Sequence, residues 1–140
     1  MKKINSFKKF FSRGVLAVFA LAVFSTIWSC RDKEEDDHEN VTVQFKVNGN
    51  GFDTIKAVVT QIGTNQNHVF NITGSSWESQ KQVVNTSVGQ LHLTATAEGT
   101  GGSSTLDVII LVNDQERAKQ TSTGTNLNAT TSVQLYQQYK

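Results

Sequence analysis

Residues 41–48 read VTVQFKVN, and this stretch decides the fold. Apolar residues occupy every second position, which is the period of a β-strand with one buried face. The same period recurs in LHLTATAE at residues 91–98. No part of the chain after residue 40 has helical periodicity of useful length. The pattern therefore predicts a domain built from strands.

Further strands are predicted where similar runs lie between turn-forming clusters. The additional predicted strands are residues 54–62, 68–73, 77–84, 105–112, 116–121 and 130–136. The clusters between them are rich in Gly and Asn, which accept the positive φ values of tight hairpins. Seven or eight short strands in about 100 residues predict an all-β fold, an antiparallel immunoglobulin-like β-sandwich over residues 41–140.

Alternation also predicts which side chains form the core of this domain. One apolar residue in two should face inward along each strand. The predicted core residues are Val43, Phe45, Val47, Val59, Phe70, Trp77, Val83, Leu91, Leu93, Ala95, Leu106, Val108, Ile110, Val112, Val133 and Leu135.

The net charge of +1 averages three unlike segments. Residues 1–29 carry five basic residues and no acid, and residues 31–40 carry two bases and six acids. Residues 41–140 carry six of each and are neutral. A nucleic-acid-binding domain would present a basic patch, so we expect no nucleic-acid partner.

The N-terminal segment, residues 1–29, has the layout of a secretory signal peptide. A basic start is followed by residues 14–28, which are uncharged and mostly apolar. This run of about 15 residues is shorter than the roughly 20 that a membrane-spanning helix needs. Because the positive charges stay on the cytoplasmic side, everything after Cys30 is predicted to be exported.

The end of this segment resembles the lipobox of bacterial lipoproteins. Ile27 stands three positions before Cys30, and the small Ser29 directly precedes it. The resemblance implies cleavage after Ser29 and a diacylglycerol on the Cys30 sulfur, with an acyl chain such as palmitate on its nitrogen. Cys30 is the only cysteine, which excludes a disulfide within the chain. The implied partner is thus a membrane, to which the protein is attached through lipid on Cys30.

Residues 30–40 are predicted to form an acidic, disordered tether, because they cannot bury enough apolar surface to offset their ordering entropy. Lys33, Glu34 and Glu35, continued by Asp36 and Asp37, resemble the export signal of surface lipoproteins of the Bacteroidota. This resemblance implies an outer-membrane protein exposed at the cell surface. The periplasmic face of the outer membrane is the alternative location.

The domain itself resembles the extracytoplasmic domain of the mycobacterial small membrane protein family. The shared features are Trp77 at the start of a middle strand, Gly89 before the LxLxA run at residues 91–95, and an apolar strand entering a hairpin at residues 108–113. The likeness spans roughly residues 41–136, and the shared motifs concern the fold alone. Members of that family accompany lipid or siderophore exporters, which implies an accessory role in an export complex as an alternative.

Catalytic and metal-binding motifs are not found in the sequence. His38, His68 and His92 lack metal-ligand spacing, and the NGNGFD stretch at residues 48–53 offers one carboxylate where calcium loops need several. No G-x-S-x-G, H-E-x-x-H or P-loop is present. We therefore expect no catalytic residue, no metal and no cofactor.

One modification site is suggested by a further resemblance. Asp53, Thr54 and Ile55 resemble the O-glycosylation acceptor of the Bacteroidota, which implies a glycan on Thr54. Taken together, the sequence predicts a lipid-anchored envelope lipoprotein acting as a non-catalytic binding or structural module. A periplasmic export accessory and a small envelope enzyme are the alternatives, and whether the ligand is a protein or a glycan is left open.

Overall fold

Nine β-strands form the fold of residues 38–138, the part of the chain that the computed structural model describes. A single 3-10 turn, Thr86–Val88, precedes the sixth strand, and a short helix α1, Leu135–Gln138, follows the ninth. The strands are β1 Asn40–Asn50, β2 Thr54–Ile62, β3 Asn65–Thr73, β4 Ser76–Glu78, β5 Gln82–Asn85, β6 Gln90–Glu98, β7 Thr105–Val112, β8 Gln115–Thr123 and β9 Asn126–Gln134.

The strands pair in two antiparallel sheets that pack face to face. In the first sheet β4 and β5 both pair with β1, and β7 and β8 follow on its other side. The second sheet has the order β3, β2, β6 and β9. The predicted all-β sandwich is confirmed. It has nine strands because the predicted strand at residues 77–84 is divided into β4 and β5.

The core lies between the sheets and is formed by alternate residues of every long strand except β3 and β8. The buried apolar residues are Val41, Val43, Phe45, Val47, Phe52, Ile55, Val58, Leu91, Leu93, Ala95, Ala97, Leu106, Val108, Ile110, Val112, Leu127, Ala129, Val133 and Leu135. Burial of one Val, Leu, Ile or Phe side chain stabilises a fold by roughly 1.5–3 kcal/mol. The inward faces of β1, β6 and β7 are those predicted.

Two predicted core residues, Val59 and Phe70, are not buried. A register shift between Ile55 and Ala57 places Lys56 as an extra residue in β2, so that Val58 faces inward in place of Val59. Asn71, with a φ of 52°, lies at the same level of β3 and turns Phe70 to the outer face, where it is 62% exposed. One irregularity thus shifts the alternation in both strands.

Val83 was also predicted to be buried and is instead 73% exposed. The chain leaves the sheet after β4 and pairs with β1 again as β5, where Val83 lies opposite Thr42 on the outer face. Its neighbour Val84 lies opposite the buried Val41 and packs against the core. Trp77 of β4 is half-buried and packs against the core edge.

The bounds of several strands differ from those predicted, and β1 and β6 extend beyond the predicted residues 41–48 and 91–98. β3 and β8 extend beyond the predicted residues 68–73 and 116–121. β9 begins earlier than the predicted 130–136, at Asn126. It also ends earlier, because Leu135 starts α1, where its backbone N–H donates to Gly89 O at 2.7 Å. Leu135 is nevertheless buried, as expected.

The two ends of the sandwich differ in what they contain. The chain enters at Asn40, and we call this the tether end after the tether predicted for residues 30–40; it also holds the 3-10 turn, the β7–β8 hairpin and α1. The opposite loop end holds the connections β1–β2, β3–β4, β6–β7 and β8–β9. Since β1 has 11 residues and a strand rises about 3.3 Å per residue, the ends lie roughly 33 Å apart.

Candidate functional site

The four connections at the loop end are held together by hydrogen bonds. Gly51 O accepts bonds from Thr100 N at 2.8 Å and from the Ser104 hydroxyl at 3.0 Å, which joins the β1–β2 and β6–β7 connections. Ser104 O accepts from Gly124 N at 3.0 Å, which adds the β8–β9 connection, and Gly74 N donates to Asp53 O at 2.7 Å, which adds the β3–β4 connection. Ser104 is buried, and Gly51 has a φ of 81°, which favours glycine. The loops therefore support one another.

A polar groove opens on the outer face of the first sheet, on the side toward the loop end. It has a volume of about 340 Å³ and lies over the paired strands β1 and β4. Lys46 and Asn48 of β1 line it, facing Glu78 and Ser76 of β4 as directly opposed cross-strand partners. Successive side chains of a strand alternate between faces, so these four project on the same side. We call these four residues the polar groove.

Trp77 completes the lining of the groove from the strand between Ser76 and Glu78. It lies opposite Val47, which is fully buried, and packs against the core. By the alternation of the strand its indole is directed toward the core, and the half-buried residue forms part of the groove lining. The other four lining residues are polar.

The polar groove contains a charge pair and two neutral polar groups. Lys46 Nζ lies 3.2 Å from Glu78 Oε2, and both side chains retain contact with solvent. An ammonium group only donates hydrogen bonds and a carboxylate only accepts them, whereas the amide of Asn48 and the hydroxyl of Ser76 do both. The groove thus offers donors and acceptors side by side with no net charge.

Asp107 of β7 adjoins the groove, because it lies opposite Asn48. Its carboxylate accepts a hydrogen bond from the Thr121 hydroxyl at 2.6 Å and pairs with Lys119 Nζ at 2.9 Å. Partial burial raises the pKa of Asp107, but the bonds from Thr121 and Lys119 and the charge of Lys119 together outweigh it and lower the pKa. Asp107 is therefore ionised at neutral pH.

Ion pairs between lysines and carboxylates recur over the described residues. Four lysine–carboxylate pairs are formed, namely Lys46–Glu78, Lys56–Glu98, Lys81–Asp114 and Lys119–Asp107. In the second of these, the hydrogen bond and the charge of Lys56 lower the pKa of Glu98. A general acid at neutral pH needs a raised carboxyl pKa, so the lowered pKa values of Glu98 and Asp107 do not suit that role.

The residues predicted from resemblance fall into two groups. Cys30, Lys33, Glu34, Glu35, Asp36 and Asp37 lie outside the described residues. Thr54 is described: it is the exposed first residue of β2, at the loop end, opposite Thr73. Asp53 beside it is exposed, and Ile55 after it is fully buried.

The three histidines lie apart from the polar groove. The His38 ring contacts Tyr136 with a centroid distance of 5.7 Å, and His68 stacks on Phe70 at 6.2 Å. His92 lies on β6, where its Nδ1 is buried without a hydrogen bond from the described residues. Across residues 38–138 no three His, Cys, Asp or Glu side chains converge as a metal site would require.

The polar groove was missed by sequence reasoning. Its residues come from VTVQFKVN and SWE, 28 or more positions apart, and only the pairing of β4 with β1 brings them together. The alternation did indicate that Lys46 and Asn48 face outward. Nothing in the sequence indicated which strand would lie beside them.

Neither the protein-family models nor the curated proteins gave a match to this chain. Within the described residues, no helix has the length and apolar character needed to cross a bilayer.

Proposed function

We propose that this chain is a lipid-anchored lipoprotein of a bacterial outer membrane, whose β-sandwich is a non-catalytic binding module displayed at the cell surface. The observation that carries the proposal is that the two ends of the domain differ. The chain enters at the tether end, ten residues after Cys30, and its interlocked loops lie at the other end. A domain anchored through Cys30 would therefore present the loop end away from the lipid.

The junction between tether and domain supports this arrangement. Glu39 N donates to the Thr86 hydroxyl at 3.0 Å, and Thr86 N donates to Glu39 O at 2.8 Å. The chain is therefore fixed to the domain just before β1 begins. Ten residues of extended chain reach at most about 33–36 Å, enough to hold the domain clear of the headgroups. Two acyl chains or more would make the attachment stable, since one gives marginal binding.

A non-catalytic role is supported by the carboxylates. Four of the described carboxylates are paired with lysines, and the pKa values of Glu98 and Asp107 are lowered. Glu98 and Asp107 therefore hold a fixed negative charge and do not donate protons at neutral pH. They suit a surface that recognises a ligand through fixed charges and hydrogen bonds.

The test is proteinase accessibility on intact cells. We expect the wild-type chain to be cleaved, and Cys30→Ala to be lost from the membrane fraction. A variant with Lys33→Gln, Glu34→Gln, Glu35→Gln, Asp36→Asn and Asp37→Asn should stay lipidated and become protected. Lys46→Gln, in the folded domain, is the control and should be cleaved like the wild type. Protection of the wild-type chain would contradict surface display, and cleavage of the neutralised variant would contradict the export signal.

The proposal includes a glycan on Thr54, and the structure allows a matched control. Thr54 and Thr73 are directly opposed, exposed threonines at the loop end. We expect the mass of the protein from the native bacterium to exceed the summed mass of its polypeptide and lipid by the mass of a glycan. Thr54→Ala should remove that excess and Thr73→Ala should keep it. Equal masses for wild type and Thr54→Ala would show that Thr54 is unmodified.

A further inference from the structure

We propose that the polar groove of Lys46, Asn48, Ser76 and Glu78 binds a neutral saccharide. This inference rests on the proposed function, because it names the class of ligand that the displayed module would take. The groove is a formed concavity of about 340 Å³, near the lower end of the roughly 300–1,000 Å³ typical of ligand sites. It therefore fits a short segment of a glycan.

The hydrogen-bonding groups match those of a sugar. Each sugar hydroxyl donates one hydrogen bond and accepts others, so neighbouring hydroxyls need donors and acceptors side by side. Lys46 Nζ and Glu78 Oε2 supply this combination 3.2 Å apart, and both form the stronger, charge-assisted bonds. Asn48 and Ser76 continue the row along the two strands as the adjacent opposed pair.

The charges around the groove do not favour an anionic ligand over a neutral one. The charge of Lys46 is balanced by Glu78. Beyond Asn48 lies the ionised carboxylate of Asp107, which accepts bonds from Thr121 and Lys119. The charge of Asp107 is in turn balanced by Lys119, so no net positive charge on or beside the groove attracts an anionic ligand. Sulfated and phosphorylated glycans are therefore expected to bind no more tightly than neutral ones.

The position of the groove suits a displayed module. Asn48 lies eight residues along β1 from Asn40, about 26 Å from the point where the tether enters. Ser76 directly follows the β3–β4 connection at the loop end. The groove is thus in the half of the domain that would lie farther from the membrane, where a glycan could reach it.

The experiment uses residues 31–140, because residues 38–138 form a compact unit with its own core. Amide chemical shifts of the ¹⁵N-labelled protein are followed during titration with cellobiose, maltose, lactose and diacetylchitobiose. Heparin disaccharide serves as the anionic probe. A neutral-glycan array covers longer chains. The variants are Lys46→Ala and Glu78→Ala, with Lys56→Ala as the matched control, since it breaks another surface ion pair, on the second sheet.

We expect at least one neutral saccharide to shift the amides of β1 and β4 around the groove. Lys46→Ala and Glu78→Ala should each weaken that binding about tenfold, the effect of losing one charge-assisted hydrogen bond. Lys56→Ala should leave it unchanged. The inference would be overturned if none of the neutral saccharides binds or if heparin disaccharide binds more tightly than they do. It would also be overturned if binding is as tight in both groove variants as in the wild type. A chain that is lipidated and displayed but binds no saccharide would overturn this inference alone, whereas a chain that is not displayed would overturn the proposed function.

Discussion

At the scale of single residues, Asp107 shows how the sheet surface uses charge. Its carboxylate lies between β1 and β8, bonded to Thr121 and paired with Lys119. These contacts favour the ionised form in the folded state, and they outweigh the cost of partial burial. The pKa of Asp107 is therefore below its ordinary value of 3.8 in the folded protein.

This lowered pKa predicts a pH-dependent contribution to stability. The contribution is complete well above pH 3.8, declines as the pH falls below that value, and is gone once the pH passes the lower folded-state pKa. Asp107→Asn should therefore lower the free energy of unfolding at pH 7, and its difference from wild type should shrink toward pH 2–3. Urea denaturation at a series of pH values measures this difference. A difference that stays constant with pH would contradict the assigned contacts.

Two phenylalanines provide a second prediction at this scale. Phe45 is 2% exposed in the centre of the core and Phe70 is 62% exposed on the outer face. Phe45→Ala should lower the free energy of unfolding by about 3–5 kcal/mol, because it leaves a cavity. Phe70→Ala should change it by about 0.5 kcal/mol or less, as for most surface substitutions. Chemical denaturation of both variants tests the register of β2 and β3, and equal losses would contradict it.

At the scale of elements, the sequence predicted strands well and side-chain direction less well. β2 and β7 have the predicted bounds, and the alternation in β1, β6 and β7 correctly identified their buried faces. The errors occur where the alternation is interrupted, at Lys56 opposite Asn71 and in the break between β4 and β5. A period of two carries no information about where it is interrupted, since pairing with the neighbouring strands decides that.

The end of β1 gives a prediction for an element boundary. A Cβ on Gly49 would lie 2.3 Å from the ring of Phe52 and 2.5 Å from Thr105 O, so the strand must shift to accept it. Gly49→Ala should therefore destabilise the domain by about 1–3 kcal/mol, as overpacking does. Gly102, in the β6–β7 connection, has nothing within 4 Å of such an atom.

Gly102→Ala is thus the matched control and should leave the melting temperature nearly unchanged. Thermal unfolding of the two variants gives the comparison. An equal effect of both substitutions would show that close packing at the β1 end does not limit stability.

At the scale of the whole molecule, a predicted lipid anchor on Cys30 precedes a domain with two unlike ends. The fold class was predictable because alternation and turn residues are local signals. The polar groove was not, because it depends on which strand lies beside β1. The predicted lipidation depends on Ile27, Ser29 and Cys30, and with it the loop end and the groove would face away from the membrane.

The most direct test of this account is the intact mass of the protein extracted from bacterial membranes. We predict a chain that begins at Cys30, lacks residues 1–29, and carries a diacylglycerol on sulfur with an acyl chain on nitrogen. A chain that retains residues 1–29, or one that begins at Cys30 with an unmodified thiol, would contradict the central claim that the β-sandwich is displayed from a lipid anchor.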